Sequence, residues 1–184
     1  MDEKVVAKGI IFELVQLPQP DGRVFEVARR APGTRVIVHD TEQRKILFIK
    51  EFRRELGEWD YRLPGGKVFD SLDEYSDFRA SGADILEAAK EQAKREAQQE
   101  AGVEVDTLEF VKKSVLGATV EWDLYVFEAT SWQLSIEGQE LEVGEVIDAD
   151  TWVTYDQAKQ MILTGEMQED RIALILLQWL EAQV

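Results

Sequence analysis

The segment from Asp84 to Gly102 restricts the folding of this chain more than any other. Asp84 with Glu87 three residues on has the spacing of a capping box, which opens a helix. Leu86, Ala89, Ala93, Ala97 and Ala101 then form one stripe at helical spacing, and Gly102 ends the run where left-handed backbone costs little. A stripe made mostly of alanine lets a helix approach its neighbour closely, so a β-sheet is expected beneath it. The same helix carries Glu96 and Glu100, one turn apart on one face. Alone, such a pair reads as a solvated acidic surface. About thirty residues earlier, however, Leu63-Pro64-Gly65-Gly66-Lys67 forms a turn that can bring bare backbone close to those acids. Glycine backbone facing converging carboxylates suits a hard divalent cation and a phosphorylated substrate.

Around this segment the pattern alternates between strands and helices. Residues 8–17 and 24–30 read as strands joined at Pro20-Asp21-Gly22, where Asp-Gly signals a hairpin. After the turn Arg30-Ala31-Pro32-Gly33, Thr34–His39 and Ile46–Lys50 form a second pair around the polar loop 40–45. Residues 53–62 read as a loop leading into the glycine turn, and 70–81 as a short exposed helix broken at Ser81-Gly82. Strands are expected near 108–116, 120–130 and 146–153. Helices follow from Thr154 to about Leu163, opened by a second capping box, and from Asp170 to Ala182, carrying Ile172, Leu174, Ile175, Leu176, Trp179 and Leu180. Strands, helix, strands, helices in that order favour mixed α/β layers over a doubly wound parallel sheet.

With 184 residues and 45% hydrophobic content the chain has enough material for one domain with a real core. Its 37 acidic and 21 basic residues give a formal charge of −16, which repels nucleic acid and anionic membrane surfaces. An anionic substrate is repelled as well, so phosphate chemistry here requires metal ions and locally placed arginines. The absence of cysteine excludes disulfides and thiolate metal sites. The first residues lack signal-peptide architecture and no apolar run approaches membrane-spanning length, so the cytoplasm is the expected address.

Gly66, Glu87, Arg95, Glu96, Ala97, Glu100, Gly102 and Val103 resemble the Nudix box, Gly-x5-Glu-x7-Arg-Glu-U-x-Glu-Glu-x-Gly-U with U apolar. Two features depart from it. Gly66 to Glu87 is a step of 21 instead of 6, which places 15 extra residues before the helix, and Gln99 stands where the first Glu of the Glu-Glu pair belongs. Phe25–Pro32 and Ile49-Lys50-Glu51-Phe52-Arg53 resemble the ADP-ribose and nucleoside-diphosphate-sugar branch, although Gly117-Ala118-Thr119 stands where that branch often has a proline.

The resemblance implies an α/β/α sandwich around a mixed sheet, residues 34–184, preceded by an antiparallel strand element, residues 1–33, that builds a homodimer. It implies Mg²⁺ or Mn²⁺ held by Glu96, Glu100 and the carbonyl of Gly65, with Arg95 bracing the glutamates and Glu87 structural. A glutamate on a later loop is implied as the base; Glu140, Glu142 and Glu145 occupy that stretch, and Glu142 and Glu145 fit its spacing best. Arg53 and Arg54 are implied phosphate contacts, with Arg29 and Arg30 reaching over from the second subunit. Trp59 and Tyr61 read as base-stacking or core residues, and the lone His39 as without catalytic duty. The implied reaction is hydrolysis of the pyrophosphate bond in a nucleoside diphosphate linked to another moiety. Two rivals stand beside it. One is an enzyme of the same fold acting on nucleoside triphosphates or dinucleoside polyphosphates. The other is a nucleotide sensor weakened by Gln99 and the inserted segment.

Overall fold

Three strands explain why this sequence makes a layered structure: β4 (Gly33–Asp40), β5 (Lys45–Arg53) and β9 (Leu124–Leu134). Their side chains alternate between faces, yet both faces are apolar, as expected of strands covered on two sides. Val36, Val38, Leu47, Ile49, Phe127 and Ala129 point into one core cluster, and Ile37, Ile46, Phe48, Leu124 and Val126 into the other. In the computed structural model, which describes residues 3–54 and 57–183, these strands belong to a mixed sheet of order β10-β5-β4-β9-β7. Its outer strands are β7 (Val103–Ser114) and β10 (Ile147–Thr154). The short β6 (Glu58–Arg62) pairs with the free end of β5. Only β4 and β9 run parallel within it.

Helix α2 (Ile85–Ala101) covers the first face with Ala89, Ala93 and Ala97, all at 0% exposure, so the alanine stripe does lie flat on a sheet. Asp84 caps its start by accepting from the N–H of Leu86, and Gly102 closes its end at φ 61°. The opposite face is covered by α3 (Tyr155–Thr164) and α4 (Asp170–Ala182), the latter through Ile172, Leu176, Trp179 and Leu180. Together these layers form the expected α/β/α sandwich. None of the described helices is long and apolar enough to cross a membrane. His39 is buried beneath α4, between the Tyr155 hydroxyl (2.8 Å) and the Glu128 carboxylate (3.0 Å).

The N-terminal strands β1 (Lys4–Lys8), β2 (Glu13–Pro18) and β3 (Val24–Arg29) form a separate sheet, completed by β8 (Val120–Glu121) from far along the chain. Several expectations are corrected here. The single strand expected over 8–17 is two, because the Gly9 N–H bonds back to the Phe12 carbonyl at 2.7 Å and closes a tight turn. Residues 53–62 are not simply a loop: Glu58–Arg62 pair antiparallel with β5, while Glu55 and Leu56 lie outside the described residues. The strand expected over 120–130 is divided at Trp122-Asp123, which lets its two pieces join different sheets.

The insertion folds as α1 (Leu72–Ser81), capped by Ser71 and closed by Gly82 at φ 70°. Tyr75 and Phe78 pack on Phe69, while Asp73 and Arg79 pair with Lys8 and Glu3 of the N-terminal segment. The insertion therefore fastens the small sheet to the sandwich.

Arg29 is the electrostatic centre of that small sheet. Its buried guanidinium pairs with Glu3 at 2.6 Å, Glu121 at 3.0 Å and Glu13 at 3.2 Å. Removing one member of a buried ion cluster leaves uncompensated charge; the partial exposure of Glu3 and Glu121 limits the cost to about 2–3 kcal/mol. Arg29 holds the Glu3 carboxyl down at about 2, below its ordinary 4.5. That contribution is complete above pH 4.5 and fades as pH falls towards 2. Urea titration of Arg29→Met should show this loss at pH 7 and a shrinking difference from wild type below pH 4.5; an equal difference at every pH would refute the ion-cluster account.

Candidate active site

The glycine turn lies in a gap too narrow for side chains. The Pro64 carbonyl accepts from Val36 N–H at 2.9 Å and the Gly66 carbonyl from Thr34 N–H at 2.8 Å, which lays the turn along the start of β4. A Cβ on Gly65, at φ 149°, would sit 2.1 Å from the Thr34 carbonyl oxygen. On Gly66 it would sit 2.3 Å from Glu96 Oε1. Glycine is therefore required at 65, which slides past the backbone of β4, while Gly66 leaves room for a carboxylate from α2.

Glu96, Glu100 and Gly65 are brought together by this packing. The Gly65 N–H donates to Glu100 Oε2 at 2.6 Å, and Gln92 donates to Glu96 Oε1 at 2.9 Å from one turn earlier on the helix. Burial pushes the Glu100 carboxyl up to about 8, against the pull of the Gly65 N–H and with the help of neighbouring Glu96. Glu96 is also raised, mainly by burial. Such carboxylates lack sufficient positive charge around them.

Their donor set suits a hard divalent cation. Among the described residues, no three His, Asp or Glu side chains form a closed metal cage. Two carboxylates, with a Gly65 carbonyl that accepts no hydrogen bond among the described residues, make an open site instead. Mg²⁺ is characteristically bound in that way, by one or two carboxylates plus waters and substrate phosphate.

A cleft of about 140 Å³ opens beside Glu96 and Glu100 and is lined further by Gln99, Glu142 and Glu145. It adjoins a second cavity of about 260 Å³, with Gly66, Lys67, Glu100 and Glu145 common to both. The walls of the second cavity carry Arg30, Arg35, Arg53 and Arg62. Arg35 and Arg62 converge on Glu169 at 3.0 and 3.1 Å, and Arg53 and Arg62 on Glu51, both at 3.1 Å. Burial opposes ionisation of Glu169, but the two arginines outweigh it and hold the carboxyl below its usual range. Arg30 and Arg171 lie over the Trp122 ring, 4.3 and 4.1 Å from its centroid. A locally basic cavity thus adjoins an acidic cleft in a strongly acidic protein.

Several expected site residues stand elsewhere. Arg29 is held by its three carboxylates and lines neither cavity of its own chain. Arg95 is exposed and bonds to neither glutamate; Gln92 and the Gly65 N–H take the bracing role assigned to it. Arg54 is exposed and lines neither cavity, whereas Arg53 does line the basic one. Trp59 is 44% exposed, edge-on to Phe52, and Tyr61 packs against the α4-side core, so neither enters the site. Sequence reasoning missed Arg35, Arg62 and Glu169. The signal for Arg35 was a charge at the head of the apolar run Val36-Ile37-Val38, since buried charge must be paired. Glu169 sits in a polar bend and gave no such signal.

Comparison with known proteins bears on the family and the fold. The NUDIX domain model matches residues 29–175. A GDP-mannose pyrophosphatase of Enterobacter sp. (strain 638) is 28% identical over 187 residues, spanning 98% of this chain and 90% of the relative. A crystal structure described as an ADP compounds hydrolase superposes with a TM-score of 0.65 at 16% identity, over 100% of this chain and 94% of its own. With β4 through α3 and the start of α4 falling within the matched range, this chain belongs to the Nudix family of pyrophosphohydrolases.

Proposed function

We propose that the protein hydrolyses the pyrophosphate bond of a nucleoside diphosphate linked to a second moiety, of the nucleotide-sugar or ADP-ribose kind. One observation carries this reading: the acidic cleft at Glu96 and Glu100 shares Gly66, Lys67, Glu100 and Glu145 with the arginine-lined cavity beside it. A diphosphate fits the basic cavity through forked guanidinium contacts from Arg35, Arg53 and Arg62. The similarity to a GDP-mannose pyrophosphatase supports a sugar as the second moiety.

In this reading Glu96, Glu100 and the Gly65 carbonyl hold Mg²⁺ or Mn²⁺. A cation bound there would neutralise the diphosphate and lower the pKa of an attacking water. Glu145 then accepts the water's proton; it is favoured over Glu142 because it lines both cavities and is the less exposed. The guanidiniums stabilise the charge carried by the departing phosphate. Gln99 lines the cleft with an amide in place of a carboxylate, which lowers its negative charge and hence the number or affinity of bound cations. We also assign the N-terminal sheet to a homodimer interface, since β1 is exposed throughout and leaves an open sheet edge. Sedimentation velocity should then give about twice the 21.1 kDa chain mass, and a monomer at micromolar concentration would refute the interface.

Purified protein with Mg²⁺ should release a nucleoside monophosphate and a sugar phosphate from GDP-mannose, other nucleotide sugars or ADP-ribose. It should act more slowly on triphosphates and dinucleoside polyphosphates. Turnover of none, with nucleotide binding retained, would establish the sensor reading instead. Chelation should abolish turnover, and Glu100→Gln should lower it at least about 100-fold by removing a metal-bound carboxylate; unchanged turnover would remove the metal assignment.

A second test needs no substrate. In the cation-free protein the Glu100 carboxyl is raised to about 8 from its ordinary 4.5. Its stabilising protonation is complete below pH 4.5 and is lost as pH rises through about 8. In chelator, wild-type stability should therefore fall across that window relative to Glu100→Gln, by an amount on the order of a few kcal/mol. Adding Mg²⁺ should reverse the fall in wild type alone. Parallel pH profiles for the two proteins would contradict the burial of an unneutralised carboxyl.

A further inference from the structure

An α-helix ends in backbone carbonyls that its own N–H groups cannot reach. At the end of α2 the Gly102 N–H takes the carbonyl of Gln98 at 3.0 Å. The loop between β9 and β10 takes the next two. The Glu140 N–H donates to the Gln99 carbonyl at 2.9 Å, and the Gln139 side-chain amide donates to the carbonyl of Glu100. Flanking contacts tighten the join: Ser135 N–H to the Gly102 carbonyl at 2.8 Å, and Gln98 Nε2 to the Gly138 carbonyl at 3.1 Å. Gln98 keeps that bond although its Oε1 is buried with no hydrogen-bond partner. Gly102 and Gly138 approach so closely that a Cβ on Gly102 would lie 3.0 Å from the Gly138 carbonyl carbon.

The far end of the loop is tied by Phe52 N–H to the Val146 carbonyl at 3.0 Å. Between the two anchors Leu141 packs on the α2-side core, and Glu142 and Glu145 close their own turn through bonds of 2.8 and 3.1 Å. Glu100 thus serves the site twice: its carboxylate receives the Gly65 N–H, and its carbonyl carries the loop whose acids line the same cleft.

We infer that Gln139 is a positioning residue for the hydrolysis proposed above. Its amide, seated on the Glu100 carbonyl, sets the distance of the Glu142–Glu145 turn from the carboxylates of α2. This inference rests on the reading in which a loop glutamate accepts the water's proton. Gln98 supports the same join from the helix side. The required chemistry is a donor, and the site disfavours negative charge, because a helix C-terminus carries partial negative charge.

The test compares Gln139→Glu, which keeps the shape and removes the donor, with Gln139→Lys, which restores a donor suited to a helix C-terminus. With Mg²⁺ and the nucleotide sugar turned over fastest, Gln139→Glu should lower kcat about 10- to 100-fold, as misplacement of a reacting group does, with KM within about twofold. Gln139→Lys should recover most of that loss. Titration with Mn²⁺ alone should give the same affinity in both variants, while amide exchange over residues 139–145 should quicken in Gln139→Glu. Combining Gln139→Glu with whichever of Glu142→Gln and Glu145→Gln is more damaging should cost no more than the glutamate substitution alone. Unchanged kcat and exchange in Gln139→Glu, or fully multiplicative losses in the double variant, would overturn the positioning role alone. Full turnover in both Glu142→Gln and Glu145→Gln would overturn the base assignment, and the positioning role with it.

Discussion

Burial of the Glu100 carboxylate against the Gly65 N–H organises this molecule. A carboxylate at 7% exposure with one backbone donor is under-solvated, and its ionised form needs positive charge. The fold could have met that need with an arginine, as it does at Glu169. It leaves the space beside Glu96 and Glu100 open instead, and both carboxyls are raised. The arrangement sacrifices stability at neutral pH and, in the proposed reading, keeps a cation site ready. This is the trade expected where pre-organised charge serves chemistry rather than folding.

How far this was readable in advance depended on whether a feature was local. The capped helix with its alanine stripe, the acids one turn apart and the double glycine are short-range patterns, and each maps to a definite geometry. The layered α/β architecture followed from the runs in β4, β5 and β9. What escaped were pairings between residues distant in sequence. Glu169 meets Arg35 across 134 positions, and Glu121 meets Arg29 across 92. Arg29 and Arg30 looked alike in sequence, yet Arg29 is the last residue of β3 and Arg30 the first beyond it, and they point to different sides. Arg29 turns into an acidic cluster, while Arg30 turns towards Trp122 and the basic cavity. Arg95 failed as a brace for a related reason: the helix turns it to solvent, and the shorter Gln92, one turn before Glu96, shares the glutamate's face.

Charge is distributed to solve a problem set by composition. A chain of net charge −16 repels a diphosphate at long range, where mobile ions screen the field. Inside the cavity the balance reverses, because Arg30, Arg35, Arg53, Arg62 and Lys67 line it, with Arg35 and Arg62 paired to Glu169 and Arg53 and Arg62 to Glu51. Those two carboxylates hold the guanidiniums of Arg35, Arg53 and Arg62 in place and offset part of their mutual repulsion. In the proposed reading an incoming diphosphate meets guanidiniums already ordered by these pairs, so little side-chain freedom remains to be lost on binding.

The inserted segment shows why spacing can vary where contact cannot. Lengthening the step from Gly66 to Glu87 from 6 to 21 raises loop-closure entropy by only about 1 kcal/mol, because that cost grows with the logarithm of length. The insertion also folds as a capped helix packed on Phe69, which offsets part of that loss. The junction between Gly66 and Glu96 has no comparable freedom. It is set by hydrogen bonds from β4 to the turn and by alanines holding α2 on the sheet, and a single methyl group on Gly66 would occupy the carboxylate's place. Length between the box glycine and its helix is therefore open to change, while the packing of the turn on β4 and of α2 on the sheet fixes where the two ends meet.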